Sequence, residues 1–287
     1  MALSTLAFAS CTAEQPDEKS QAAELEIFGS LNGVTRAGDS SWDRDDRIGL
    51  YVTVNGTQQV QDNANNLQYR YADPSTTHNG SNFVPVGTAA KIWTENDKKK
   101  CYIIGYYPYH QTLDADNSFT HDIYDQSDPK KVDLITARTG GVGFAEAMSP
   151  VPLVFSHRLS KLSVTVKMAD GSAPQRLTAS VSNQPSAFRY YPKNDEINVY
   201  IPFETIAMHT NAAGNNVSAL LVPNTEDMNG PRDRTLTCSC SGLTKNFTIP
   251  KNIFFEPGVQ YDVELTMGAS RSKSAAPVVR VVTSEFR

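Results

Sequence analysis

The chain has 287 residues, a formal net charge of −5 at pH 7, and 39% hydrophobic against 20% charged residues. These proportions are close to globular usage and exclude a disordered chain, and the length allows two domains of ordinary size. No basic stripe is present, so nucleic acid is not an expected partner. No apolar run is long enough to span a bilayer as a helix.

The N terminus is similar to a bacterial lipoprotein signal. Residues 2–10 are small or apolar and carry no charge, and Cys11 follows them. Because the basic residues that open such a signal are missing, we expect residues 1–11 to be a truncated lipoprotein signal that ends at a lipidated Cys11. An unfolded N terminus with an incidental cysteine is the alternative. Residues 12–24 are polar and acidic, and they predict a flexible tether.

Two strand-like segments, residues 25–34 and 47–54, lie on either side of Arg36. The second alternates apolar with polar or small residues, whereas Gly29 interrupts the alternation of the first. The apolar residues of the first segment on which the prediction below depends are Leu25, Ile27, Leu31 and Val34. The linker between the segments is small and polar, which is where a protease can enter an extended chain. A plain surface loop is the alternative.

Strand signals continue along the chain, separated by Gly, Asn, Asp and Pro. We predict further strands at residues 67–71, 101–109, 132–137, 151–159, 162–168, 177–181, 197–203, 217–222, 236–240, 247–249, 259–267 and 278–282. The apolar positions change phase at Ser160 and Lys161, which predicts a bulge or bend where the chain passes to another sheet. We therefore expect an all-β chain with an N-terminal β-sandwich at 25–157 and a C-terminal β-sandwich at 158–287.

The search for catalytic chemistry yields no candidate. The five histidines form no i, i+4 pair, and no nucleophile elbow, phosphate loop or dinucleotide fingerprint is present. His157 falls in the inward phase of its strand and predicts a structural, hydrogen-bonded histidine. Residues 114–118 alternate oxygen ligands but lack the downstream Gly and Glu of a calcium loop, which favours a hairpin loop. Cys101, Cys238 and Cys240 are expected to be buried free thiols. We predict no enzyme activity, no cofactor and no metal site.

Several motifs occur in an order that resembles the Bacteroidales fimbrillin-like family of type V pilus subunits, which includes major and minor fimbrial subunits. The motifs are Thr35-Arg36-Ala37, Trp42, Asp46-Arg47-Ile48-Gly49-Leu50-Tyr51, Tyr106-Tyr107-Pro108-Tyr109, Asp133-Leu134-Ile135, Phe155-Ser156-His157-Arg158-Leu159-Ser160-Lys161-Leu162 and Phe255-Glu256-Pro257-Gly258-Val259-Gln260-Tyr261. The resemblance extends from residue 25 to about residue 267.

The resemblance implies two tandem transthyretin-like β-sandwich domains and a lipoprotein precursor that becomes a structural or adhesive fimbrial subunit at the outer membrane and cell surface. It also implies cleavage by an arginine-specific protease between the first two strands, and Arg36 is the matching position. The implied partners are other pilus subunits, identical or related, the protease, and the outer membrane through the lipid anchor of the precursor. Host proteins and glycans are further candidate ligands. A monomeric surface lipoprotein that binds glycan or host protein is the alternative.

We predict that the first strand occupies a groove that a strand of another subunit fills after cleavage at Arg36. The predicted occupants are Leu25, Ile27, Leu31 and Val34. Their burial would contribute about 6–12 kcal/mol gross, comparable to the whole net stability of a domain at about 5–15 kcal/mol. The candidate donor strand is near the C terminus, after a flexible link at 268–276. Its predicted side chains are Val278, Val279, Val281 and Val282.

Overall fold

The computed structural model describes residues 23–32, 42–54, 64–77, 80–87, 93–94, 100–139, 142–143, 150–199, 202–224, 233–251, 253–268 and 280–285. The strands up to residue 157 are β1 (Ala23–Glu24), β2 (Ile27–Leu31), β3 (Arg47–Val54), β4 (Leu67–Tyr71), β5 (Phe83–Pro85), β6 (Trp93–Thr94), β7 (Lys100–Tyr107), β8 (Phe119–Asp122), β9 (Ile135–Arg138), β10 (Val142–Gly143) and β11 (Val151–His157). The helical elements among them are a 3-10 turn, η1 (Pro74–Thr76), and a one-turn helix, α1 (Pro129–Val132). Neither of these two helices is long and apolar enough to cross a membrane.

The strands from residue 158 onward form the second half of the chain. They are β12 (Ser160–Met168), β13 (Thr178–Pro185), β14 (Ala187–Tyr191), β15 (Glu196–Asn198), β16 (Phe203–Ala207), β17 (His209–Thr210), β18 (Asn216–Leu221), β19 (Arg234–Cys240), β20 (Leu243–Ile249), β21 (Val259–Met267) and β22 (Arg280–Glu285). The described residues are thus almost entirely strands and the turns between them, which confirms the all-β prediction.

The first half forms an eight-stranded sheet in the order β10-β7-β3-β4-β5-β2-β11-β9. Strand β9 has partners at both of its edges, because Thr136 stands opposite Ser156 of β11 and opposite Tyr106 of β7. The sheet therefore closes into a seven-stranded barrel, with β10 outside the ring. Alternate residues of β3, among them Ile48 and Leu50, face the enclosed core, as their spacing predicts. The strands expected in the first sandwich thus surround their core as one closed sheet.

The second half encloses its core between two sheets. One has the order β17-β18-β12-β21-β22 and the other β16-β13-β19-β20. β21 pairs in parallel with β12, from Lys161 opposite Gln260 to Met168 opposite Met267. The inward residues of β21 that belong to this core are Tyr261, Val263, Leu265 and Met267. The alternation predicted for residues 259–267 is confirmed.

The predicted change of phase marks the passage between the two halves. β11 ends at His157 and β12 begins at Ser160, and the two strands belong to different sheets. His157 is buried, and its Nδ1 is hydrogen-bonded to Oδ1 of the fully buried Asp133 at 3.1 Å. The predictions of a bend and of a structural histidine are both confirmed.

A further, three-stranded sheet, β15-β14-β8, joins the halves, since β8 precedes the predicted boundary at 157 and β14 follows it. An apolar cluster also spans the junction and includes Tyr106, Phe119, Phe188 and Tyr190. Burial raises the pKa of Tyr106 and that of Tyr190 well above their ordinary value. The division at 157 and 158 remains a prediction, because strands from both sides share this sheet and this cluster.

Several local predictions need correction. Residues 132–137 do not form one strand, because Val132 ends α1, whose first turn carries Pro129, and β9 begins only at Ile135. Residues 197–203 do not form one strand either, because β15 ends at Asn198 and β16 begins at Phe203 in a different sheet. Strands β8, β14 and β17 were not predicted. Two other local predictions hold within the described residues: Cys238 and Cys240 are buried free thiols, and residues 114–118 form a tight turn whose Asp114 N donates to Ser118 O at 2.8 Å. The side chain of Cys101 lies outside the described residues.

Candidate functional site

Strand β2 is an integral part of the closed sheet. It pairs in parallel with β11, from Ile27 opposite Val151 to Leu31 opposite Phe155. Hydrogen bonds continue beyond the strand, since Val151 N donates to Glu26 O at 2.7 Å. On its other side β2 meets β5 at one position, where Ile27 stands opposite Phe83. The segment predicted to occupy a groove therefore fills the space between two strands of the barrel.

The inward side chains of this segment are deeply buried. Ile27 is fully buried and Leu25 is 4% exposed, and Leu31 is half-buried against the same core. Gly29 is buried in the same phase, so the alternation continues through it rather than being interrupted as the sequence suggested. Val34, Arg36 and Cys11 lie outside the described residues.

The side chain of Asn82 binds the backbone of β2 where a neighbouring strand would otherwise do so. Gly29 N donates to Asn82 Oδ1 at 2.7 Å, and Asn82 Nδ2 donates to Gly29 O at 2.8 Å. The backbone of the same residue contributes a third bond, from Asn82 N to Ile27 O at 3.1 Å. Asn82 is 4% exposed, so its carboxamide satisfies a buried peptide unit that water does not reach. We call this set of bonds the Asn82 clamp.

An aromatic cluster covers the inner side of Gly29. The ring of Trp42 lies 4.9 Å from that of Phe83 and 5.1 Å from that of Phe155, both edge to face. Trp42 Nε1 donates to Gly29 O at 3.0 Å, so this oxygen accepts two bonds. Glycine fits here because a Cβ at residue 29 would lie 2.5 Å from Cε2 of Phe83 and 3.3 Å from Cε2 of Phe155.

Sequence reasoning missed the residues that hold β2. Asn82 and Phe83 follow a polar loop and carry no local pattern that would single them out, and Gly29 was interpreted as a break. The usable signals were the glycine in an inward position, which indicates close approach of another group, and Trp42, which occurs in the family-like motifs.

The candidate donor strand is paired within its own chain. β22 lies antiparallel to β21 at the edge of the five-stranded sheet as described, with Val281 opposite Val263 and Val282 opposite Asp262. Val278 and Val279 lie outside the described residues. β2 and β22 belong to different sheets, so the structure does not bring the predicted groove occupant and the predicted donor together.

The residues that contact Gly29 can bind a strand by shape and hydrogen bonding. Asn82, Trp42, Phe83 and Phe155 are uncharged, so recognition here depends on backbone groups and ring packing rather than on charge. In the part of the chain that the structure describes, no group of three or more histidine, cysteine or acidic residues could hold a metal ion. Asp114 and Asp116, in the turn that resembled a calcium loop, instead bind Arg189.

The fold and this site define an all-β protein in which the early strand β2 is held in the closed sheet by hydrogen bonds and side-chain packing. Two crystal structures share this fold. A “putative cell adhesion protein” from Bacteroides uniformis ATCC 8492 superimposes with a TM-score of 0.71 at 25% identity, over 95% of this chain and 100% of that one. Another “putative cell adhesion protein”, from Bacteroides ovatus ATCC 8483, gives 0.70 at 22% identity, over 93% and 99%.

Sequence comparison gives the family. The model of the family described as fimbrillin-like matches residues 35–284. The chain therefore belongs to the fimbrillin-like family, as its motifs predicted. It is also 34% identical over 172 residues to “Putative fimbrium subunit Fim1C” of Bacteroides uniformis, an alignment that covers 58% of this chain and 54% of that protein. The chain thus spans about half the length of this relative.

Proposed function

We propose that this protein is a structural or adhesive subunit of a cell-surface fimbrium. In this proposal it is exported as a lipoprotein precursor, cleaved after Arg36 by an arginine-specific protease, and assembled by exchange of β-strands with other subunits. The observation that carries the proposal is the position of β2: it is deeply buried, yet it precedes the cleavage position and is bound to the rest of the barrel by non-covalent contacts. Membership of the fimbrillin-like family, whose match begins at residue 35, supports it.

The energetics explain why a vacated site would need a replacement strand. Burial of Leu25 and Ile27 contributes about 3–6 kcal/mol gross, and the hydrogen bonds to β11 and Asn82 add to this. Loss of β2 would open the barrel core and leave the edge of β11 unpaired. An unpaired edge beside an apolar groove is a template for a strand from another chain. The uncleaved strand would block this site and keep the precursor from assembling.

The test compares wild type, Arg36→Ala and the matched control Arg44→Ala in the fimbriated bacterium. Arg44 is exposed and lies just beyond Trp42, so it controls for loss of a nearby arginine. We expect wild type and Arg44→Ala to appear in heat-sensitive, high-mass ladders of isolated fimbriae, and Arg36→Ala to remain a folded precursor. If Arg36→Ala assembles as well as wild type, cleavage at this position is not the trigger. If cleaved wild type never enters a ladder, the monomeric surface lipoprotein is the better interpretation.

We propose that the precursor is lipidated at Cys11 and attached to the outer membrane. The support is the sequence around Cys11 and the polar segment after it. Metabolic labelling with a fatty acid should mark wild type and not Cys11→Ala, and the variant should be lost from the membrane fraction. Equal labelling of the two would refute lipidation at this residue.

We also propose that residues 25–157 and 158–287 are tandem transthyretin-like domains. The two-sheet core of the second half supports a sandwich there, whereas the first half has one closed sheet. Calorimetry of the full chain tests the division. Ile48→Ala should lower the midpoint temperature of one unfolding transition and Val164→Ala that of the other, since each residue is fully buried in the core of its own half. A single transition shifted by both variants would contradict two independent domains.

A further inference from the structure

The site of Gly29 restricts which strand can replace β2. We propose that the incoming strand must place a glycine between the rings of Phe83 and Phe155, so the donor is a glycine-bearing strand and not β22 of a second copy of this chain. This inference rests on the proposed strand exchange and adds which residue the donor strand must carry. It concerns one buried position, which we call the glycine gate.

The first step is the space at the gate. A Cβ at residue 29 would lie 2.5 Å and 2.9 Å from two ring carbons of Phe83, Cε2 and Cδ2. Carbon atoms at van der Waals contact are about 3.5–4.0 Å apart. Any residue other than glycine therefore has to displace the Phe83 ring or shift the whole strand.

The second step is that neither ring can easily withdraw. Phe83 is 1% exposed, and its ring is held between Trp42 at 4.9 Å and Tyr71 at 5.7 Å. Phe155 fills the space beside Gly105 on the facing strand β7, where a Cβ would lie 2.9 Å from its Cζ. Protein interiors are close-packed, so a ring displaced here has to displace its neighbours too.

The third step is that the strand cannot shift away from the gate. The Asn82 clamp fixes the peptide of Gly29 by two hydrogen bonds of 2.7 and 2.8 Å, and Trp42 Nε1 binds the same oxygen. A strand moved outward to accommodate a Cβ would lose these bonds and leave the buried Asn82 carboxamide unpaired, which is costly.

The fourth step is that β22, the candidate donor strand, has no residue for the gate. No glycine follows Gly268 in the sequence, and Gly268 itself lies directly after β21 with a φ of +94°. This holds for every register and for either direction of the incoming strand. The fitting partner instead carries aliphatic residues at the positions of Leu25 and Ile27 and a glycine two residues after the second of them.

The experiment uses the full chain cleaved at Arg36 and measures incorporation of labelled peptides by native mass spectrometry. The native peptide has the sequence of residues 25–34, and two variants of it carry Gly29→Ala or Ser30→Ala. The Ser30→Ala peptide is the control, because it also changes one small residue to alanine but on the outward side of the strand. The fourth peptide, the tail peptide, has the sequence of residues 277–287. We expect the native and Ser30→Ala peptides to be incorporated equally. We expect Gly29→Ala and the tail peptide to bind at least about tenfold more weakly, since overpacking a buried site costs about 1.4 kcal/mol or more.

A change in the acceptor tests the gate itself. Phe83→Leu shortens the side chain beside Gly29 and should restore binding of the Gly29→Ala peptide to within about threefold of the native one. Phe188→Leu is the matched control, because Phe188 is equally buried but lies in the cluster between the halves. It should leave the ranking of the peptides unchanged.

The outcomes separate the two proposals. If no peptide is incorporated, including the native one, strand exchange at this site fails and the proposed function with it. If the native, Gly29→Ala and tail peptides are incorporated equally, strand exchange stands and the glycine gate is wrong. Assembly of the purified, cleaved chain with itself into high-mass species through its tail would also overturn the gate.

Discussion

The Asn82 clamp gives the sharpest prediction for stability. Asn82→Ala removes both side-chain hydrogen bonds to Gly29 while leaving the apolar contacts of β2 in place. Gly29 O keeps a donor, Trp42 Nε1 at 3.0 Å, but Gly29 N loses its acceptor inside a buried site. An orphaned buried donor costs about 1–3 kcal/mol, so we expect the free energy of unfolding of the uncleaved chain to fall by about that amount.

Urea unfolding of wild type and Asn82→Ala measures the loss, and amide hydrogen exchange at Gly29 locates it. Protection of the Gly29 amide should fall more than that of amides in β21. Asn65→Ala is the control, because Asn65 is exposed and its Nδ2 donates to Asn117 Oδ1 at 3.2 Å. We expect it to change stability by no more than about 0.5 kcal/mol. An Asn82→Ala variant as stable as this control, with an equally protected Gly29 amide, would refute the clamp.

Three further predictions concern burial and titration. Ile27→Ala should lower the free energy of unfolding by about 2–5 kcal/mol. Phe28→Ala, on the outward side of the same strand, should lower it far less, and denaturant unfolding measures both. Burial lowers the pKa of His121, so the unfolded chain takes up the proton first and the free energy of unfolding should fall as the pH drops below about 6.5. His121→Gln should reduce this dependence of stability on pH, measured by denaturant unfolding, and His209→Gln, at a half-buried position, is the control. Burial, with Cys240 beside it, raises the pKa of Cys238 to about 11, so iodoacetamide at pH 8 should label it slowly in the native chain and rapidly in urea, as peptide mapping would show.

Local periodicity predicted the parts of the fold that depend on one strand at a time. The alternation in β3 and β21 identified inward faces correctly, and the change of phase near Ser160 identified the passage between sheets. His157 was placed inside by the same reasoning. Each of these features follows from the two-residue repeat of a strand, which is present in the residues themselves.

Features that depend on pairing between distant strands could not be predicted in this way. Closure of the barrel requires β9 to find both β7 and β11, and nothing within residues 135–138 specifies two partners. The Asn82 clamp joins residues 53 positions apart by side-chain to backbone bonds, which leave no periodic signal. The family-like motifs supplied Trp42 and Arg36, but not the neighbours that give Trp42 its role.

The clamp also bears on the proposed strand exchange, in which a buried strand would be replaced. On the β11 side, β2 has a regular ladder over five residue pairs, but on the β5 side its only strand pairing among the described residues is Ile27 with Phe83. Past that position, the carboxamide of Asn82 takes the place of a neighbouring backbone. Release of β2 therefore breaks a full ladder on one side only, and Asn82 remains in position to bind the next strand. If β2 is exchanged as proposed, the incoming strand is selected by its fit at Gly29 as well as by its backbone pairing with β11.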